Sequence, residues 1–245
     1  MEWVDIVMTS VLRPALLKET LSTIINNICD DSSVRFRLVI NVDPIGEAID
    51  PMEVVKIAKN YFKEVVYNIP EYPSFTKAVK WVWEASESPH VFHWEDDVFI
   101  FRKININHML KIHRKNPKVS SLRLSKHDIP NNKVITLFNS KWRYNDAGFY
   151  IADRWQEQFG LNPILIKQDF IKEAVTLMRD DLNPEKQFRV TYDWMVPLIS
   201  KWKYGLYATP GDKALIWGKK GQAWKNKMGL QKGKNAFITW TKENK

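Results

Sequence analysis

The first hundred residues switch back and forth between two hydrophobic periods, and no other feature limits the fold as much. VDIVMTSV is a short β-rich run, and ALLKETLSTIINNI then places apolar residues at 17, 21, 24, 25 and 28, one face of a helix. FRLVINVD reads as a strand ending at Asp43, MEVVKIAKNYF as a second amphipathic helix and EVVYNIP as a third strand. FTKAVKWVWEAS is a third helix and HVFHWEDD a fourth strand. Strands separated by helices of this length pair in parallel and carry the helices on both faces of the sheet. The expectation is therefore an α/β fold with a mainly parallel, Rossmann-like central sheet.

Beyond residue 100 the alternation loosens. NHMLKIHRKNP, FIKEAVTLM and DWMVPLISKW have helical spacing, with Pro197 kinking the last or sitting in its first turns. VSSLRLS, KVITLF, YGLYAT and ALIWG read as strands. No Gly-, Ser- or Pro-rich linker divides the 245 residues, so one domain is expected. It divides into a half over residues 1–100, a second over 101–212 and a C-terminal segment over 213–245. Residues 213–245 hold nine Lys, no Arg and one acid, Glu243, so this segment carries +8 of the total +9. Such asymmetry suits an anionic partner at one end, whether phosphate, nucleic acid or an acidic surface, or a merely solubilising run. The single Cys29 excludes an internal disulfide. With no basic N-terminal leader and no apolar run of about 18 residues, a cytoplasmic location is expected.

In such sheets ligands bind beyond the carboxyl ends of the strands. The residues there are Thr9, Ser10 and Arg13, then Asp43, then Glu95, Asp96 and Asp97 within VFHWEDDVFIF. Two like charges about 4 Å apart repel by ~1 kcal/mol in water and ~4 kcal/mol at a protein-like dielectric, so this trio needs a cation, donors or solvent. Strand alternation turns Glu95 and Asp97 one way and Asp96 the other, where it caps neighbouring donors. Mg²⁺ or Mn²⁺ takes one or two protein carboxylates and completes its shell with phosphate oxygens and water. His90, His93 and Cys29 have no metal-ligand spacing.

The order strand-T-S-x-x-R, strand-D, helix with a basic residue, strand-E-D-D resembles the nucleotide-binding half of a GT-A glycosyltransferase, most like the inverting family 2 type with its D-x-D motif. The likeness covers residues 3 to 100 well and 140 to 225 loosely. It implies a GT-A fold, a nucleotide-sugar donor (a UDP-sugar), Mn²⁺ or Mg²⁺ as cofactor, and inverting transfer to an acceptor hydroxyl. On that likeness Asp97 is the direct metal ligand, with Glu95 on the ribose or a metal-bound water and Asp96 beside them. Thr9 and Ser10 lie under the nucleotide, Asp43 meets the pyrimidine, and Arg13 or Lys77 meets phosphate or base. Asp193, in TYDWMVPLISKWKYGLYATP, matches the family's general base, with Asp146 in YNDAGFY as second candidate; Asp193 is alternatively a plain helix N-cap.

The family's late metal-binding His is missing. All five His lie at or before position 127, and Trp217 stands near the expected place. Lys219 and Lys220 would then neutralise the diphosphate directly. In the tail, Lys residues alternate with Trp224, Phe237 and Trp240, ingredients of a nucleic-acid surface to which Lys225 and Lys227 belong. The expected acceptor is a hydroxymethylated pyrimidine in DNA, as for some phage enzymes, reached by base flipping with Trp224 filling the gap. Two other readings stand beside it. One is a transferase for a lipid-linked or cell-surface glycan precursor, its lysines docked on an anionic membrane. The other is a non-catalytic sugar-nucleotide or nucleic-acid binding protein.

Overall fold

The computed structural model describes residues 2–29, 32–137, 140–153, 159–188, 192–218, 220–232 and 240–242. The amino-terminal half runs β1 (Glu2–Leu12), α1 (Pro14–Asn27), β2 (Val34–Gly46), α2 (Pro51–Tyr61), β3 (Val65–Asn68), α3 (Phe75–Glu84) and β4 (His90–Glu95). It continues with β5 (Phe99–Ile100), α4 (Ile106–Lys115), β6 (Val119–Leu124), β7 (Val134–Leu137), β8 (Ser140–Asn145), β9 (Phe149–Ala152) and β10 (Ile164–Lys167). The chain ends with α5 (Gln168–Leu177), α6 (Val196–Lys201), β11 (Lys203–Tyr207), β12 (Ile216–Trp217), α7 (Lys220–Met228), β13 (Leu230–Lys232) and β14 (Trp240–Lys242). Each of the first four strands lies where the hydrophobic pattern predicts it, as do α1 to α3. Pro197 sits in the first turn of α6 and does not kink it.

Ten strands form one sheet in the order β3-β2-β1-β4-β10-β6-β11-β9-β8-β7. β3, β2, β1 and β4 are mutually parallel, β10 is antiparallel to both β4 and β6, and β11 runs parallel to β6. The α/β expectation holds, with an antiparallel far edge of β9, β8 and β7 that the sequence pattern did not reveal. Alternation divides the core. Val4, Ile6 and Met8 of β1 join Leu38, Ile40 and Val42 of β2 on the face covered by α1, α2 and α4. Val7 and Val39 point to the opposite face, where α3, α5 and α6 supply Val79, Val82, Phe170, Ile171, Leu198 and Ile199. Two fully buried faces require near-continuous apolar strands, which is how β1 and β2 read.

A charged pair interrupts that interior near the amino-terminal end of β1. The Arg37 guanidinium donates to Asp5 at 2.8 and 2.9 Å, and Asp5 also accepts from the backbone N–H groups of Glu87 and Ser88 at 2.7 and 3.1 Å. The pair lies in register across β1 and β2 and ties the loop before β4 to the amino-terminal edge of the sheet. Among the described residues, no helix is long and apolar enough to cross a membrane.

Candidate functional site

The chain goes outward from β1 to β2 to β3, then returns to the other side of β1 as β4. The loops leaving β1 and β4 therefore diverge, and a crevice opens where they part. Thr9 and Glu95 are direct partners across β1 and β4 at that point. Thr9, Ser10, Val11, Arg13, Asp43, Phe75, Glu95, Asp96, Asp97 and Lys225 line a narrow cleft of about 50 Å³ there. Residues from five separate stretches of sequence thus meet at one edge.

β4 ends at Glu95, and Asp96 and Asp97 form a turn closed by the Val98 N–H on the Glu95 carbonyl at 3.2 Å. Strand alternation therefore does not extend to Asp97, and the turn sets its direction. Asp96 faces inward, as expected, and is almost fully spent on protein donors. It accepts from the Ser10 hydroxyl at 2.6 Å, the Val11 N–H at 3.1 Å and Arg13 Nε at 3.0 Å, with an ion pair to Arg13 Nη2. Thr20 on α1 adds a hydrogen bond to its carbonyl at 2.9 Å. With 1 % of its surface exposed, Asp96 holds the cleft together and has no oxygen left for a nucleotide. Ser10 shares that task and neither caps α1 nor reaches into the cleft as a free hydroxyl.

Arg13 is likewise committed. Its Nη1 lies 3.1 Å from Asp97 Oδ2, and its guanidinium sits 5.4 Å from the centre of the Trp224 ring. Burial alone would lower its pKa. The attraction and hydrogen bonding of Asp96, with Asp97 and Glu95 behind, outweigh that and raise it above the ordinary value. The guanidinium supplies the cation that the acidic trio needs. Asp97, at the cleft's lip, retains part of its carboxylate surface.

β2 runs past Asp43, its expected end, to Gly46; Asp43 is 3 % exposed and accepts from Asn41 Nδ2 at 2.8 Å and the Ser74 N–H at 3.1 Å. Asn68 of β3 donates in turn to Asn41 Oδ1 at 2.7 Å, so a hydrogen-bonded row crosses from β2 to β3. Burial pushes the Asp43 carboxyl up to about 6 against the pull of those two donors, and Asp96 adds to the rise. Asp43 also borders an adjoining groove lined by Asn68, Tyr72, Ser74, Lys77 and Trp81. Lys77 is therefore next to Asp43 but outside the cleft proper.

The other candidates are spread wider. Asp193 is exposed in the turn Asp193–Met195 that opens α6 and does not line the cleft; the N-cap position is Tyr192, and no side-chain cap forms. Asp146 is 95 % exposed in the β8–β9 turn, 4.0 Å from Lys133. β8 is five strands from β4, about 24 Å at ~4.8 Å per strand, so Asp146 is too distant to act at Asp97. Trp217 pairs with Phe99 across the β5–β12 ribbon and packs on Phe99 and Phe101 rather than lining the cleft.

Lys220 pairs with Glu19 and sits over the Phe99 ring. Lys227 is exposed on α7, and Lys219 and Phe237 lie outside the described residues. Trp224 turns inward, donating to Glu47 Oε1 at 3.0 Å, so its ring is not free to enter a DNA duplex. Lys225, expected on the acceptor, lines the cleft beside Arg13 and Asp97.

Ser74, Phe75 and Gly221 also belong to the site: Ser74 donates to Asp43, Phe75 lines the cleft and Gly221 lies against Asp97. Ser74 and Phe75 carry a signal, the N-cap Ser at the start of an amphipathic helix; Gly221 carries none.

Among the described residues, no group of three or more His, Cys, Asp or Glu side chains is placed to hold a metal by itself. The donor set nonetheless fits a hard divalent ion of limited demand. Asp97, backed by Glu95, lines the cleft with its Oδ2 paired to Arg13, and Mg²⁺ or Mn²⁺ needs one or two carboxylate ligands if a diphosphate supplies others.

The chain matches no protein-family model and no curated protein sequence. Its fold matches solved structures. S. aureus TarS, residues 1–349 in complex with UDP, superposes over 89% of this chain with a TM-score of 0.61 at 11% identity. A mannosyltransferase from Pyrobaculum calidifontis, in complex with GDP-Man and Mn²⁺, superposes over 85% with a TM-score of 0.57 at 11% identity. A CMP:2-keto-3-deoxy-manno-octonic acid synthetase complexed with CTP covers 87% with a TM-score of 0.51 at 13% identity. The chain spans 37% of the longer TarS structure, 60% of the shorter one and 55% of the mannosyltransferase. What these proteins share with the chain is the GT-A-like fold, a large, mostly parallel sheet with helices on both faces.

Proposed function

We propose that the protein is a glycosyltransferase that moves a sugar from a nucleotide-sugar donor to an acceptor hydroxyl. The observation that carries this reading is the meeting of Thr9, Asp43, Glu95 and Asp97 in one cleft, at the switch point of a sheet whose fold neighbours were solved with UDP, UDP-GlcNAc and GDP-Man. Residues 1–100 form the donor half, 101–212 the acceptor half and 213–245 a basic cover. Asp43 and the Asn41–Asn68 row receive the base, and a UDP-sugar is the donor. Asp97, with Glu95, would hold Mn²⁺ or Mg²⁺, whose chemistry is to neutralise the departing diphosphate. Arg13 sets the direction of the Asp97 carboxylate.

Asp193 is the general base of an inverting transfer. It opens the segment leading into β11, three strands from β4 and parallel to β1, whereas Asp146 lies at the far edge. The acceptor is a hydroxymethylated pyrimidine in DNA, supported by the +8 C-terminal segment; stacking on a flipped base falls to a ring other than Trp224. The test is a panel of UDP-, GDP- and CDP-sugars with Mn²⁺ or Mg²⁺, scored for binding and hydrolysis. Asp97→Ala should bind nucleoside normally and lose turnover; a wild-type rate in that variant would remove Asp97 from the chemistry.

A further inference from the structure

Helix α7 lies across the donor cleft. A Cβ on Gly221 would fall 1.5 Å from Asp97 Oδ2, 2.5 Å from its Cγ and 2.9 Å from Arg13 Nη1, so only glycine lets the helix come this close to the carboxylate. Further along, Trp224 wedges against Gly46, whose own Cβ would lie 3.1 Å from the ring, and holds Glu47 and Arg13 as described above. The Lys220–Glu19 ion pair latches the helix start to α1, and Lys225 borders the cleft itself. Glycines bracket the element: Gly218 before it, and Gly229 after it with φ +63°. A divalent ion approaches a carboxylate to about 2 Å and brings water or phosphate oxygens with it. The Gly221 backbone and Arg13 already occupy that space around Asp97. The docked helix and a loaded Asp97 therefore exclude one another.

From this geometry we infer that α7 is a gate over the donor site, closed on Asp97 through Gly221, and that Lys225, carried on the same helix, meets the donor's diphosphate once the helix has moved off Asp97. The inference rests on the donor reading above and adds a moving part and a ligand contact to it. Docking lowers the apparent affinity of Asp97 for a cation by the fraction of molecules that are closed. Loosening the helix must therefore raise it.

The experiment compares the wild type with Trp224→Ala and Gly221→Ala, following amide exchange across 220–228 and Mn²⁺ binding by the resonance signal of free Mn²⁺. Exchange at α7 should quicken in both variants while the central sheet is unchanged, and Trp224→Ala should bind Mn²⁺ several-fold more tightly. Unchanged Mn²⁺ affinity alongside a loosened α7 overturns the gate, as does unchanged exchange in both. Lys225→Ala should weaken UDP about ten- to a hundredfold and leave uridine alone. Equal losses for both, or no loss for either, overturns the Lys225 assignment. If the wild type binds neither UDP nor GDP yet the loosened variants gain Mn²⁺ affinity, the donor reading fails and the gate stands.

Discussion

Replacing Asp96 by Ala tests whether the central acid of the trio is a framework residue rather than a ligand. The change leaves Arg13, 6 % exposed, without its main counter-charge, and strands the Val11 N–H and the Ser10 hydroxyl. Removing one partner of a buried ion pair costs about 3–5 kcal/mol. Partial rescue of Arg13 by Asp97, already 3.1 Å away, argues for the lower part of that range, about 3–4 kcal/mol. At ~2–4 °C per kcal/mol for a domain of this size, the melting temperature should fall by about 6–16 °C. Scanning calorimetry on the apo protein reads this directly. Asp97→Ala should shift the melt by less, because Arg13 keeps Asp96 as its main counter-charge. Arg13→Met combined with Asp96→Leu should recover more than half of the loss, since an apolar pair needs no charge balance. If Asp96→Ala melts within about 2 °C of the wild type, the cleft does not depend on this pair and the division of labour proposed for the trio is wrong.

Other consequences can be measured independently. Asp193→Asn should abolish transfer while retaining donor binding, and Asp146→Asn should remain active; the reverse result would exchange their roles. If DNA is the acceptor, log affinity should fall with log salt at about 0.9 per phosphate contacted, and a flat response would exclude it.

Folded Asp43 keeps its proton up to about 6, so its share of stability is present at low pH and is lost as pH rises through about 4 to 6. His90 and His93 shift the opposite way, down to about 4 and about 3 because burial disfavours the cation, and His113 is lowered too. Their share is present above the unfolded value of about 6.5 and is lost as pH falls below it. Net stability should therefore decline on acidification from about 6.5 to 4, and Asp43→Asn should steepen that decline. An unchanged slope would refute the Asp43 assignment.

Strand and helix periods made the first four strands and three helices legible, because alternating strands and helices leave few other packings. The far edge was not legible. β8, β9 and β10 are short, and β10 gains its place from burial between β4 and β6 rather than from any local pattern. At the site, Asp43, Glu95 and Asp97 could be located from strand ends alone. The partnership of Arg13 with Asp96 could not, since it depends on a turn that starts one residue after β4 ends. The tail's lysines read as a solvent-facing surface, yet Lys225 and Trp224 turn toward the cleft. A helix with weak amphipathicity gives no hint of which face docks.

The placement of β10 affects how the chain can be made and cut. Until residues 164–167 leave the ribosome, β4 has an unpaired edge rich in apolar side chains, Val91, Phe92 and Trp94. Such an edge recruits other strands. A fragment stopped near residue 150 would hold every donor-side carboxylate and still lack the strand that shields them, so it should aggregate on expression rather than bind nucleotide.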